Sequence, residues 1–135
     1  MTDTIGRPTG GCLCGGVTYE THHPLHRVLQ CHCSNCRRTS GNFVAAVRSA
    51  TDELVINDPA DHLRWYDLEY ASYGFCGRCG STLFFRSAER QDITSVMTGT
   101  LDDATDLMVH GVWFAADAQP HNTLPPNVPH YDGNG

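Results

Sequence analysis

The chain has 135 residues, enough for one domain with a modest hydrophobic core. Its formal net charge of -6 comes from nine arginines, no lysine and fifteen acidic residues, and a chain this acidic would repel nucleic-acid phosphates. It has no basic face for a membrane surface, no apolar run approaching the ~20 residues of a membrane helix and no apolar signal-peptide core at its polar N-terminus. We therefore expect a cytoplasmic protein with reduced cysteines that binds neither nucleic acid nor membrane.

Short runs of apolar and β-branched residues, separated by turn signals, predict a mainly β domain of short antiparallel strands. In chain order, the predicted strands are residues 17–20, 43–47, 54–56, 63–66, 82–85, 93–97 and 108–114. Helical turns are expected only after Cys33 and over residues 102–106. Residues 1–9 are predicted to be an N-terminal tail and residues 10–116 the domain. Residues 117–135 form a Pro-rich tail that either packs across the domain or frays.

The seven cysteines fall into three groups. They are the C-x-C of Cys12 and Cys14, the C-x-C-x-x-C of Cys31, Cys33 and Cys36, and the C-x-x-C of Cys76 and Cys79. Disulfides fit this pattern poorly, because the number is odd and C-x-C is too tight for an unstrained bridge. Iron also accepts four thiolates, so the spacing leaves it open. Tetrahedral zinc accounts for the spacing and is the preferred interpretation.

Two of the groups predict a closed structural zinc site. The C-x-x-C pair turns around Gly77 and is followed by Gly80, which allows both sulfur atoms to point at one ion. The C-x-C pair can do the same from the end of a strand. Joined together, Cys12, Cys14, Cys76 and Cys79 would clamp the start of the chain to the middle of the domain.

The remaining cysteines, Cys31, Cys33 and Cys36, can bind one further ion from a single loop. A closed site would take a histidine as fourth ligand, and the nearby candidates are His22, His23, His26 and His32; the last lies between two ligands and is expected to point away. An open site would leave room for a substrate. Three thiolates make zinc a weak Lewis acid and a poor activator of water, but a thiol that coordinates it is deprotonated and becomes a nucleophile.

Three segments together resemble the motifs of one family. Residues 11–17 read GCLCGGV, residues 31–41 read CHCSNCRRTSG, and residues 75–84 read FCGRCGSTLF. In this order and with all seven cysteines included, they are similar to the motifs of the glutathione-dependent formaldehyde-activating enzymes, a family that also includes centromere protein V. The resemblance covers residues 10–114.

The resemblance implies a β-tent zinc fold of stacked antiparallel sheets with two zinc ions per chain. It implies a structural zinc on Cys12, Cys14, Cys76 and Cys79, and a second, catalytic zinc on Cys31, Cys33 and Cys36. The implied activity is formation of S-(hydroxymethyl)glutathione, or carbon–sulfur lyase chemistry in the reverse direction. A small thiol such as glutathione would be the partner.

Two residues that follow the second site are candidates for substrate binding. Arg37 could bind a glutathione carboxylate through its planar guanidinium, and Ser40 could present a hydroxyl to the ligand. Arg37 could equally form an ion pair within the fold, and Ser40 could belong to a plain turn. Two other functions stay open: a non-catalytic zinc module that binds a protein partner, and a redox-responsive or metal-responsive zinc protein.

Overall fold

The computed structural model describes residues 7–22 and 25–133, so that the first six residues of the predicted N-terminal tail, and His23, lie outside the described residues. The described chain is mainly β. Its strands, numbered β1 to β10 in chain order, are Thr9–Gly11, Thr18–Thr21, Arg27–Cys31, Val44–Ala50, Leu54–Asn57, Leu63–Asp67, Ala71–Cys76, Thr82–Ser87, Arg90–Met97 and Met108–Trp113. One α-helix, α1, spans Ser34–Ser40, and short 3-10 helices span Thr51–Glu53, Thr98–Thr100 and Ala115–Asp117. None of the described helices is long and apolar enough to cross a membrane.

The predicted mainly β, single-domain fold is confirmed. Each of the seven predicted strands is present with slightly shifted ends, and the helical turn expected after Cys33 is α1. Strands β1, β3 and β7 were not predicted. Of the helical turn expected over residues 102–106, the structure forms one hydrogen-bonded turn, in which the N–H of Leu107 donates to the carbonyl of Ala104 at 3.1 Å, and no helix.

The strands form two sheets. The small sheet has the order β1-β2-β5, and the large sheet has the order β10-β3-β4-β9-β8-β7-β6. Among the described strands, every pairing is antiparallel except that of β10 with β3, which is parallel and was not predicted. This pairing brings the two ends of the domain together and sets Trp113 directly opposite Cys31.

The main core lies between one face of the large sheet and the small sheet. Val28, Val47 and Phe84 come from the large sheet, and they pack with Tyr19 and Leu54 of the small one. The rings of Tyr19 and Phe84 meet edge to face with centroids 5.3 Å apart. Burial of these apolar side chains is the main source of the stability of the sheet pair.

The opposite face of the large sheet carries a second, smaller apolar cluster. Its buried members are Val44 and Ala46 on β4, Met97 on β9, Tyr73 on β7 and Cys36 on α1. Alternate residues of a strand point to opposite faces, so β4 supplies Val47 to the main core and Val44 and Ala46 to this second face. The helix α1 covers one end of it through the buried Cys36.

The end of the C-terminal tail packs along β10 rather than fraying. The backbone N–H of Val112 donates to the carbonyl of Pro129 at 3.0 Å, and the N–H of Tyr131 donates to the carbonyl of Val112 at 2.8 Å. The N–H of Phe114 donates to the carbonyl of Gly133 at 3.0 Å. These bonds cover the outer edge of β10, which would otherwise be the free edge of the large sheet.

Candidate metal centres

Four cysteines from distant parts of the chain meet at one end of the two sheets. Two lie in the loop between β1 and β2, one ends β7, and one lies in the turn that leads to β8; we call them the four-cysteine cluster: Cys12, Cys14, Cys76 and Cys79. Their sulfur atoms all lie within 4.8 Å of one another. The Cys12 and Cys14 sulfurs are 3.6 Å apart, and the Cys14 and Cys76 sulfurs are 3.8 Å apart. A tetrahedral ion with metal–sulfur distances of about 2.3 Å holds its sulfurs about 3.8 Å apart, so the donor set fits a metal ion.

Hydrogen bonds to sulfur stabilise the thiolates that this cluster needs. The backbone N–H of Val17 donates to the Cys12 sulfur at 3.3 Å, and the N–H of Cys79 donates to the Cys76 sulfur at 3.4 Å. The Ser81 hydroxyl lies 3.2 Å from the Cys79 sulfur, and its hydrogen bond lowers the pKa of that thiol to about 5. Donors aimed at sulfur favour the charged form, which is the form that binds metals.

The cluster could form a closed metal site, because it supplies four sulfur donors. Its turn is made by Gly80, which has a φ of 83° that suits glycine, and whose N–H donates to the Cys76 carbonyl at 2.7 Å. Cys12 and Cys76 are buried. The cluster therefore ties the small sheet to the β7–β8 turn of the large sheet, as the sequence predicts.

The other three cysteines meet where β3 passes into α1. Cys31 ends β3, Cys33 is the N-cap of α1, and Cys36 lies buried in its first turn; we call them the three-cysteine cluster. Their sulfur atoms also lie within 4.8 Å of one another. Hydrogen bonds from the Cys31 and Cys36 thiols lower the pKa of the Cys33 thiol to about 2, and the hydrogen bond with Cys33 raises the pKa of the Cys31 thiol to about 11. A cation bound here would favour loss of the remaining thiol protons.

No histidine or carboxylate of the described residues joins the three sulfur atoms. His32 points away, as predicted: it is buried, stacks on Phe43 with ring centroids 4.8 Å apart, and has its pKa lowered by burial. His22 is exposed and lies 3.6 Å from the Glu20 carboxylate, and His26 is also exposed. His23 lies outside the described residues. Within the described chain, the cluster therefore offers three sulfur donors, and a metal ion bound to them would have its fourth position open.

The open side of the three-cysteine cluster faces a cavity of about 440 Å³ on the second face of the large sheet. Apolar side chains form much of its wall, among them Leu29, Val44 and Phe85. Arg48 and Arg90 supply its positive charge. A concave, partly apolar wall with a few polar groups beside a ligand set is typical of a small-molecule site.

Neither Arg37 nor Ser40, the two predicted substrate residues, lies on the wall of this cavity. The side chains of consecutive helical residues are rotated by about 100° around the helix axis. The side chain of Arg37 therefore faces away from the side of α1 on which Cys36 lies. The Ser40 hydroxyl donates to the Cys36 carbonyl at 2.7 Å and accepts from the Asn42 N–H at 3.2 Å, which closes the end of α1. The geometry thus favours the plain-turn interpretation of Ser40.

Sequence reasoning missed Tyr73, which contacts the three-cysteine cluster from β7. Its hydroxyl lies 3.2 Å from the Cys36 sulfur, and the side chain is only 2% exposed. Burial, and then the hydrogen bond with Cys36, raise the pKa of Tyr73, which favours the protonated phenol. With a metal ion on Cys36, the Tyr73 hydroxyl would donate to the sulfur, orient it and reduce its negative charge.

Tyr73→Phe is expected to weaken metal binding at the three-cysteine cluster about 10- to 100-fold, because an outer hydrogen bond to a ligand is lost while the ring stays in place. Competition with a chromophoric chelator measures this affinity. The matched control is Tyr66→Phe, since Tyr66 is paired with Tyr73 across β6 and β7 but is 64% exposed. Equal metal affinity in the two variants would show that the Tyr73 hydroxyl does not act on the cluster.

The fold and the two clusters define a class: a mainly β protein that could hold two metal ions, one in a closed site and one beside a cavity. Residues 7–116 match the family described as glutathione-dependent formaldehyde-activating enzyme, and the chain belongs to this family. The fold is also similar to that of a Rhodobacter sphaeroides protein of known crystal structure. The two are 23% identical with a TM-score of 0.61, over 90% of this chain and 98% of the other. No curated protein matches the sequence significantly.

Proposed function

We propose that the protein is a zinc-dependent enzyme that acts on a small thiol or its aldehyde adduct, with carbon–sulfur lyase chemistry of the S-(hydroxymethyl)glutathione type. One observation carries the proposal. Three thiol ligands with no fourth partner among the described residues lie on the wall of a cavity large enough for a small molecule. Membership of the glutathione-dependent formaldehyde-activating enzyme family supports the same chemistry.

Zinc is the metal that we propose for both clusters, two ions per chain. Four sulfurs in tetrahedral spacing suit zinc, and a set of three thiolates with one open position suits a zinc that accepts a further soft ligand. All seven cysteines are free thiols. Free thiols in this number persist in a reducing compartment, which supports a cytoplasmic location.

The reaction that we propose joins a thiol to an aldehyde. Zinc, when bound, would supply the positive charge that keeps the thiol of the substrate deprotonated. The substrate sulfur forms a bond to the carbonyl carbon, the electrons of the C=O π bond move to oxygen, and oxygen takes up a proton; the reverse reaction breaks the same C–S bond. The cavity wall supports this addition. Val44 and Phe85 line the cavity and would exclude water around the sulfur, and Tyr73 would hold Cys36 in position.

Thiol binding tests the proposal directly. Glutathione titrated into zinc-loaded protein should bind with release of a proton, because only the deprotonated sulfur coordinates a metal. Calorimetry in buffers of different ionisation enthalpy reports that proton. The affinity should rise with pH over the range below the thiol pKa of about 8.5, since less proton must then be removed by binding. Added formaldehyde should give the hydroxymethyl adduct faster with the protein than without it, as followed by NMR exchange.

Absence of thiol binding by protein that carries both zinc ions would contradict the proposal. It would favour the non-catalytic zinc module, in which a protein ligand completes the second site. Oxidant-dependent release of one zinc without any thiol binding would favour the redox-responsive alternative.

A further inference from the structure

Arg48 lies on the same face of β4 as two residues beside the three-cysteine cluster. Val44, Ala46 and Arg48 alternate along the strand, so their side chains share one face, and all three line the cavity. Val44 is paired with Cys31. Four residues of a strand cover about 13 Å, so β4 sets the Arg48 backbone about that far from the cysteine end of the cavity.

The side chain of Arg48 crosses β3 and stacks on an aromatic ring of β10. Its guanidinium carbon lies 4.9 Å from the centroid of the Trp113 ring. Trp113 belongs to β10, on the other side of β3, and is paired with Cys31. The stacking therefore brings the guanidinium beside the strand that carries the first metal ligand. A guanidinium stacked on an aromatic face keeps its N–H groups directed outward in its own plane, where a ligand can accept from them.

The charge of Arg48 is uncompensated within the described part of the chain. No described carboxylate forms an ion pair with it, whereas Arg90 forms two hydrogen bonds with Asp92, at 3.0 Å and 3.1 Å. Burial, and then the nearby charge of Arg90, lower the pKa of Arg48. In a protein of net charge -6, this leaves a positive group without a partner on the wall of a cavity.

Glu89 also lies on the wall, so a ligand with several negative charges near it would be disfavoured. On the basis of the proposed function, we propose that Arg48 binds a carboxylate of the thiol substrate and is the residue that selects thiols that carry a carboxylate over those that do not.

The planar fork of a guanidinium matches the two oxygens of a carboxylate, and such charge-assisted pairs are stronger than neutral hydrogen bonds. Replacing the guanidinium of Arg48 should therefore weaken the binding of thiols that carry a carboxylate and leave the binding of other thiols unchanged. Glutathione and its diethyl ester make a matched pair of probes, because they share the thiol and differ only in the carboxylates.

The experiment measures the dissociation constants of both probes for zinc-loaded wild type, Arg48→Gln, Arg48→Lys, Arg37→Gln and Arg27→Gln. Arg27 is an exposed arginine of β3 outside the cavity and serves as the charge-matched control. Arg48→Gln should weaken glutathione binding at least tenfold and change binding of the ester less than about twofold. Arg48→Lys should give an intermediate loss for glutathione, since it keeps the charge and loses the fork. Arg27→Gln should resemble wild type.

The inference would be overturned if Arg48→Gln weakened both probes equally or neither of them. It would also be overturned if Arg37→Gln, and not Arg48→Gln, gave the selective loss. Failure of the wild type to bind either probe is a different result, because it refutes the proposed function on which the inference rests. Arg48→Lys retains the stacked cation and so keeps the test valid if Arg48→Gln disturbs the sheet.

Discussion

Cys76→Ala is expected to abolish the stable fold, or to lower the unfolding temperature by tens of degrees. Cys76 is fully buried, belongs to the main core and ends β7, and its sulfur is part of the four-cysteine cluster that joins the two sheets. Structural zinc contributes roughly 10–16 kcal/mol in small peptides, whereas a whole domain is stable by about 5–15 kcal/mol. Loss of one ligand therefore removes a stabilisation comparable with the net stability of the domain.

Thermal and denaturant unfolding followed by circular dichroism would measure this effect. The control is Leu13→Ala, because Leu13 lies between two ligands of the same cluster but is 89% exposed. The control should unfold within a few degrees of wild type. If Cys76→Ala were as stable as the control, the four-cysteine cluster would not be the structural site.

Cys36→Ser is expected to do the opposite: the fold should remain, and thiol binding should fall by at least about 100-fold. A serine hydroxyl is a much poorer zinc ligand than a thiolate, so the site would keep only two sulfur ligands. The three cysteines all come from one short segment, so a metal ion on them would not clamp distant segments together, and its loss should cost little stability. Native mass spectrometry should show one zinc instead of two, and glutathione should give no heat of binding.

The control for this change is Ser34→Ala, at an exposed residue of α1 that is not a ligand. It should keep both zinc ions and bind glutathione as wild type does. Retention of thiol binding by Cys36→Ser would separate the thiol site from the three-cysteine cluster and contradict the proposed function. A loss of stability equal to that of Cys76→Ala would contradict the division into a structural and a functional site.

The grouping of the cysteines could be predicted from the sequence because a metal ion imposes a local rule. C-x-C and C-x-x-C bring sulfur atoms together over a few residues, whatever the rest of the chain does. The strands rich in β-branched and aromatic residues could be predicted for a similar reason. Strand β7 could not, because Ala71, Ser72 and Gly74 have low intrinsic preference for strands, and only pairing with β6 and β8 makes the segment extended.

The substrate wall could be predicted less well because it depends on pairing between distant strands. Arg37 is next to Cys36 in the sequence, but it does not line the cavity. Arg48 is distant from the cysteines in the sequence, and the strand order β10-β3-β4 places it on the cavity wall beside Trp113. The predicted strand ended at Val47, one residue before Arg48. Val44, Ala46 and Arg48 are alternate residues of one strand. Extending the predicted strand to Arg48 would have placed its side chain on the same face as Val44 and Ala46. The parallel pairing that sets Trp113 beside Cys31 has no such local signal.

A crystal structure of the zinc-loaded protein with glutathione would show whether the thiol binds at the three-cysteine cluster. We expect two zinc ions, with a glutathione sulfur about 2.3 Å from the one held by Cys31, Cys33 and Cys36. We also expect a glutathione carboxylate within hydrogen-bonding distance of Arg48. A second zinc whose fourth position is filled by His23 or another protein side chain, with no glutathione in the cavity, would contradict the proposed function.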